Sequence, residues 1–298
     1  MTIALVLRAL GVGGLLTAVP ALRALRRGGL NVVLAAPAEL RDLALLTGAV
    51  EGLVPITGLE GLAWSARRPD VAVNMHGPGP RSHHLLMDLR PRRLWAFADP
   101  SFPRLKGPRW NEHEHEVERW CRLVRWYGSR VDPADLALPV PLIQNPAPGA
   151  VVLHPGARDA ARRWPPERFA EVARAMEAEG LRVVVTGSRH ERPLALLVAA
   201  QAGLAPHRVL AGRTSMRQQC ALVAGARLVV SANTGVAHLA TAYGIPSVVV
   251  FGPDSPARWG PPADRPWHRA LAQGADARAV TVEDVVSASR EVISVPAR

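Results

Sequence analysis

Residues 228–251 read LVVSANTGVAHLATAYGIPSVVVF. Leu228–Ser231 is a short β-branched run, Val236–Tyr243 repeats apolar residues at helical spacing, and Ser247–Phe251 is β-rich again. A strand, a helix and a second strand in so few residues indicate a parallel pair joined by a crossover. The turn between the first two, Asn233-Thr234-Gly235, stands at a helix start, where free N–H groups and the helix dipole favour an anion. Gly235 lets the backbone come close to that anion, Thr234 adds a hydroxyl donor, and His238 follows one turn later.

The same alternation extends in both directions. Strands are expected at Val151–Leu153, Leu181–Thr186 and Arg208–Leu210, with helices at Pro166–Glu179, Arg189–Ala202, Ser215–Ala224 and Val282–Val292. The first half repeats the pattern with strands at Ile3–Leu7, Asn31–Ala35, Val71–Met75 and Leu94–Ala98, and a long helix near Glu114–Tyr127. Between the halves lies DPADLALPVPLIQNPAPG, residues 132–149, too rich in proline for a helix or a central strand and therefore a linker. The fold class expected is α/β: two doubly wound, Rossmann-like parallel-sheet domains facing a cleft, with ligands beyond the carboxyl ends of the strands. The domains span 1–140 and 149–280, and a last helical segment covers 281–298.

At 298 residues, 48% hydrophobic and 20% charged, the chain is globular and large enough for two cores. The formal charge of +11 favours anionic partners, but the arginines are scattered through every segment and Lys106 is the only lysine. A nucleic-acid partner is therefore not expected; a few arginines facing a diphosphate suffice. No apolar run reaches the roughly 20 residues of a membrane helix, so no stable membrane insertion and a cytoplasmic location are expected. Cys121 and Cys220 sit in helical apolar patterns outside any metal spacing and read as buried thiols.

Two further polar loops follow strands of the second half. HPGARDAARRWPP, residues 154–166, brings Arg158, Arg162 and Arg163 behind a Pro-Gly turn. TGSRHER, residues 186–192, adds Thr186, Gly187 and the carboxylate Glu191, suited to ribose hydroxyls. In the first half LGVGG, residues 10–14, only partly matches a nucleotide loop, and NMHGPGPRSHH, residues 74–84, sets His76, His83 and His84 beside two glycines. Apart from Asp88 no carboxylate lies close to those histidines, so no metal site is expected.

Taken in order, LVLRALGVGGLLTAVPALRALR, DVAVNMHGPGPRSH, HEVERWCRL, VLHPGARDAARRWPPERFAEVA, VVVTGSRHER and LVVSANTGVAHLATAYGIPSVVVFGPDSPARWGP resemble glycosyltransferase family 9, whose members include lipopolysaccharide heptosyltransferases. The resemblance spans about residues 3–260. It implies a GT-B architecture with an N-terminal acceptor domain, a C-terminal donor domain and a final helix packing back on the first. It implies inverting transfer of a sugar, commonly heptose, from an ADP-sugar to a glycan or small-molecule acceptor, with no cofactor and no required metal. On that resemblance Thr234, Gly235 and His238 match the donor-phosphate turn, and Arg162 takes the place of a phosphate-binding lysine. Glu191 matches a ribose-binding carboxylate, Thr214 lines the nucleoside pocket, and Arg81 and Arg119 reach toward an anionic acceptor.

Two positions depart from the family pattern. The general-base aspartate expected after Gly13 is Gly14, and the aspartate before Thr234 is Asn233. Three explanations follow: His76 acts as base instead, the acceptor is one such as an amine that needs little base, or the chain binds nucleotide-sugar without catalysis.

Overall fold

The computed structural model describes residues 2–159 and 162–295. Ala160 and Ala161, inside the loop 154–166, and residues 296–298 of the last expected segment lie outside the described residues. The chain divides into two compact units, Met1–Leu138 and Pro139–Arg298, with the boundary inside the proline-rich stretch.

The first unit holds β1 (Thr2–Leu7), β2 (Leu30–Ala36), β3 (Gly52–Pro55), β4 (Val71–Asn74) and β5 (Arg93–Trp95), all parallel, in the order β3-β2-β1-β4-β5. β1 and β4 are apolar along most of their length because parallel strands are covered on both faces. The helix Val12–Arg27 follows β1 and packs on Glu116–Trp126, whose Val117, Trp120, Cys121 and Val124 form its buried face. Pro20 lies within Val12–Arg27, which runs on through it.

The second unit holds β6 (Val151–His154), β7 (Val183–Val185), β8 (Leu228–Ala232), β9 (Ser247–Val250) and β10 (His268–Leu271), in the parallel order β10-β9-β8-β6-β7. The strand expected at Arg208–Leu210 is reduced to one parallel bridge, Val185 to Val209. Pro206 starts a 3₁₀ turn over Pro206–Arg208, and its fixed φ holds the chain out of the sheet. β3 and β10, each four residues long, were not anticipated; both are edge strands.

The core of the second unit gathers Val151, Phe169, Val198, Val230 and Val248 with Val285, Ala288 and Val292. The last three belong to the helix Val282–Ser294, which packs on the helix Pro166–Ala178 and on β8, β9 and β10. The apolar face of this helix is thus buried in the second unit's own core. Trp164 ties the loop before Pro166 to that core, its Nε1 donating to the Val280 carbonyl at 2.9 Å.

In each sheet the strand order reverses direction at one place, between β1 and β4 in the first unit and between β6 and β8 in the second. Loops leaving adjacent strands at such a place diverge to opposite faces and leave a crevice. The chemistry-bearing loops after β6 and β8 meet at the second of these points.

Candidate functional site

β8 is buried throughout and delivers Asn233 and Thr234 to the sheet end. Thr234 is the N-cap of the helix Gly235–Tyr243, with extended backbone, yet its hydroxyl makes no capping bond. Among the described residues that Oγ1 is buried with no hydrogen-bond partner. A buried hydroxyl without a partner costs free energy, and here it stands at a helix N-terminus, where an anion completes the set of donors. His238 lies on the same helix, its ring edge-on to Trp259 with centroids 6.0 Å apart.

Arg162, from the loop after β6, faces this turn through a carboxylate that sequence reading missed. Its Nε donates to Asp254 Oδ2 at 2.7 Å and its Nη2 to Oδ1 at 3.0 Å, while Nη1 donates to Asp159. Asn233 Nδ2 donates to the same Asp254 Oδ2 at 3.2 Å. Asp254, in the loop after β9, therefore joins the β6 and β8 loops. Its bonds to Arg162 raise the arginine's affinity for its proton, against burial. Burial opposes ionisation of Asp254, but the Arg162 bond and charge, aided by Asn233, outweigh it and hold the carboxyl below its ordinary value.

Glu191 stands at the start of the helix Arg192–Ala202, and its Oε2 accepts the Ser188 N–H at 2.7 Å. Burial pushes this carboxyl up; His154, the Ser188 bonds and Arg163 push it down further and keep it ionised. Its carboxylate lies against Gly156, where a Cβ would collide with it. Gly187 is nearly as close, a Cβ there meeting Glu191 Cβ at 3.2 Å. The two glycines after β6 and β7 thus make room for one carboxylate.

Thr186 and Thr214 converge on Gln219, a residue sequence reading did not single out. Both hydroxyls lie within bonding distance of Gln219 Oε1, at 2.8 and 3.2 Å. Gln219 Nε2 is buried without a hydrogen-bond partner among the described residues, a donor left for a ligand. Its only sequence signal is its place beside the capping-box residue Gln218, which gave no hint of this role. The second unit therefore brings together Arg162, Thr186, Gly187, Glu191, Thr214, Asn233, Thr234, Gly235 and His238 around the carboxyl ends of β6–β9.

In the first unit Gly13 and Gly14 open the helix Val12–Arg27 beside β1, and the Gly14 carbonyl accepts Arg8 Nε at 2.8 Å. A Cβ on Gly14 would lie 2.5 Å from Leu10 Cβ, so no carboxylate fits there without moving the backbone. His76 follows β4; its N–H donates to Asn74 Oδ1 at 3.0 Å, and its Nδ1 is buried with no hydrogen-bond partner among the described residues. Burial and the nearby Arg8 charge lower its pKa from 6.5, which keeps the ring neutral at pH 7. Arg81 is exposed at the start of the helix Arg81–Met87.

Arg119 is a correction. It is fully buried, Nη1 donating to Glu116 and Nη2 to the carbonyls of Asn111, Glu112 and Glu114, with its guanidinium 4.2 Å from the Trp110 ring centre. Glu116 also pairs with Arg8 at 3.1 Å. A buried charge needs partners, and both terminal nitrogens of Arg119 find theirs within the protein, so the fully buried side chain holds the first unit together and does not reach toward an acceptor.

His83 is buried, with Nε2 3.0 Å from the Phe97 carbonyl and its ring stacked on Phe102. It is a core histidine. No group of three His, Cys, Asp or Glu side chains among the described residues is placed to hold a metal, and none of the described helices is long and apolar enough to cross a membrane. Cys121 and Cys220 are buried free thiols, and burial pushes Cys121 up to about 12.

A sequence model of glycosyltransferase family 9 (heptosyltransferase) matches residues 111–282. The lipopolysaccharide heptosyltransferase 2 of Salmonella typhimurium is 38% identical over 99 residues, which is 32% of this chain and 28% of that protein. The lipopolysaccharide heptosyltransferase 1 of Escherichia coli K12 is 26% identical over 241 residues, 78% of this chain and 64% of that protein. The matched stretches thus span less than two thirds of these relatives. The solved structure of E. coli heptosyltransferase WaaC with ADP superposes with a TM-score of 0.77 at 19% identity, covering 98% of this chain and 100% of that one. That likeness agrees with the fold class expected, two Rossmann-like domains of the GT-B type.

Proposed function

The chain belongs to glycosyltransferase family 9, and on that premise we propose that it transfers a heptose from ADP-heptose to a nucleophilic group of an acceptor, with inversion at the anomeric carbon. The observation that carries the reading is the unpartnered Thr234 hydroxyl at a helix N-terminus, with Arg162 tied to the adjoining Asn233 through Asp254. Those groups suit the two charges of a diphosphate. Glu191 and the Thr186–Gln219–Thr214 cluster suit the ribose and base. The WaaC structure was solved with ADP, which supports the same nucleotide here.

In the step proposed, an acceptor hydroxyl or amine forms a bond to the anomeric carbon as the bond to the diphosphate oxygen breaks. ADP leaves with the electron pair, and the acceptor's proton passes to a base. Arg162 and the N–H groups at Gly235 neutralise the leaving diphosphate, so no divalent cation is needed. His76 is the base proposed for a hydroxyl acceptor, because its ring is neutral and Nδ1 awaits a partner.

One observation favours a second reading. Leu10 fills the side-chain space beside Gly14, so the chain holds no carboxylate base there, and on this second reading it binds nucleotide-sugar without turnover. Mixing the protein with ADP-heptose and candidate acceptors in chelator separates the two. Acceptor-dependent ADP release supports transfer, whereas ADP-heptose binding without release supports the binder.

A further inference from the structure

The first unit carries a cavity that has no part in the site just described. It has a volume of about 850 Å³ and lies along β5, the edge strand of its sheet, between the helix Arg81–Met87 and the loop 101–106. Its wall is aromatic and apolar. Trp95 and Tyr127 stack in parallel, centroids 5.0 Å apart and planes 3° apart, and Phe102 closes the far side. The Tyr127 hydroxyl fixes this arrangement, donating toward the carbonyls of Ala96 at 2.9 Å and Lys106 at 2.8 Å and accepting the Ala96 N–H at 3.1 Å.

The charged residues that line it are of one sign. Arg93, Arg104 and Lys106, the only lysine in the sequence, line the cavity together with Arg92, and no carboxylate lines it among the described residues. Arg92 is shared with Asp70 at 3.5 Å; Arg93 lies over the Trp95 ring at 5.8 Å. A second cavity of about 640 Å³ shares Arg93, Trp95 and Tyr127 and adds Arg27 and Arg130. Cations gathered around a low-dielectric wall reinforce one another's field and repel each other until an anion arrives. The volume falls in the range of pockets that enclose drug-sized ligands, and the mix of aromatic wall and few polar groups is that of a ligand site.

From this geometry we propose that the cavity along β5 binds an amphiphilic organic anion, with its alkyl or aromatic body against Trp95, Tyr127 and Phe102 and its phosphate or carboxylate among Arg93, Arg104 and Lys106. The proposal does not depend on the nucleotide site, which is built from residues of the second unit. An inorganic anion gains nothing from the aromatic wall, and a neutral amphiphile nothing from the cations, so the cavity discriminates against both. The same chemistry is offered by a free small molecule and by an anionic lipid in a bilayer.

The test uses dodecyl phosphate below its micelle concentration, titrated into the full chain by calorimetry. Dodecyl maltoside and inorganic phosphate serve as comparisons, and the double variant Arg104→Glu Lys106→Glu alters exposed residues only. Saturable binding of dodecyl phosphate is expected, weakened about tenfold or more in the double variant and for either comparison ligand. The variant's thermal midpoint, unchanged, shows that the fold is kept. Equal affinity for dodecyl maltoside, equal affinity in the charge-reversed variant, or no binding of dodecyl phosphate overturns the proposal. Sedimentation with phosphatidylglycerol vesicles, lost in the double variant, identifies a lipid source; dodecyl phosphate binding without sedimentation identifies a free anion.

Discussion

Asp254 grips Arg162 with two bonds, Oδ2 to Nε at 2.7 Å and Oδ1 to Nη2 at 3.0 Å, and so fixes the plane of the guanidinium. Asp159 takes the remaining nitrogen, Nη1. The two aspartates have unlike surroundings, the Asp159 side chain being 42% exposed and that of Asp254 20%. One cation thus faces two carboxylates, and on the function proposed a diphosphate bound at Arg162 displaces one of them. The more exposed Asp159 is the one that yields.

The two aspartates therefore act with opposite sign. Asp159→Asn removes a competitor and is expected to strengthen ADP binding, by up to about fivefold for so exposed a pair. Asp254→Asn loosens the aim of Arg162 and is expected to weaken ADP binding. Calorimetry of both variants checks this; a shift in the same direction for both contradicts the assignment.

Gly14→Asp does not restore a base. Its Cβ would lie 2.5 Å from Leu10 Cβ, which is anchored to the backbone and cannot swing away. Overpacking of this kind costs about 1–3 kcal/mol, expected as a lower urea midpoint with no gain in turnover. Undiminished stability together with faster transfer would show that the loop adapts.

His268 makes the second unit sensitive to acid. It is buried at the start of β10, with Nδ1 2.8 Å from Ser247 Oγ and Trp267 beside it, and burial with the nearby Arg265 charge lowers its pKa from 6.5 to about 4. The folded state disfavours the protonated ring, so below 6.5 the unfolded chain binds the extra proton and stability falls as the pH drops toward 4. The shift corresponds to about 3 kcal/mol lost by pH 4. Urea titrations from pH 7 to 4 measure it, and His268→Gln is expected to flatten the slope across that window.

The βαβ alternation could be read in advance because parallel strands buried on both faces appear as continuous apolar runs, Val71–Val73 and Val248–Val250 among them. Thr234-Gly235 was legible for a local reason, a turn chemistry lying between a strand and a helix. The partners that complete the site were not, since Asp254 meets Arg162 from 92 positions away. Gln219 likewise joins Thr186 from the helix Met216–Ala224, and nothing in its neighbours marks it. Arg119 was misread because a buried arginine and an exposed one look alike until Glu116 and Trp110 are seen around it. β3 and β10 escaped because four-residue edge strands carry too little periodicity.

If His76 accepts the proton of a hydroxyl acceptor, kcat is expected to fall as the pH drops through its lowered pKa, leaving activity flat at neutral pH and declining only below 6.5. His76→Ala is expected to lower kcat by about 10²-fold or more and to abolish that acidic limb. An unchanged kcat with a raised KM would make His76 a positioning residue and leave an acceptor that needs no base.

On the function proposed, the second unit holds a nucleoside diphosphate between Arg162 and the Thr234-Gly235 turn, and ADP calorimetry on Arg162→Ala decides it. Removal of a charge-assisted bond of roughly 1.5–3 kcal/mol is expected to weaken ADP by about 10- to 150-fold. ADP affinity equal to that of the wild-type chain would mean that Arg162 serves only its two aspartates and that the diphosphate lies elsewhere.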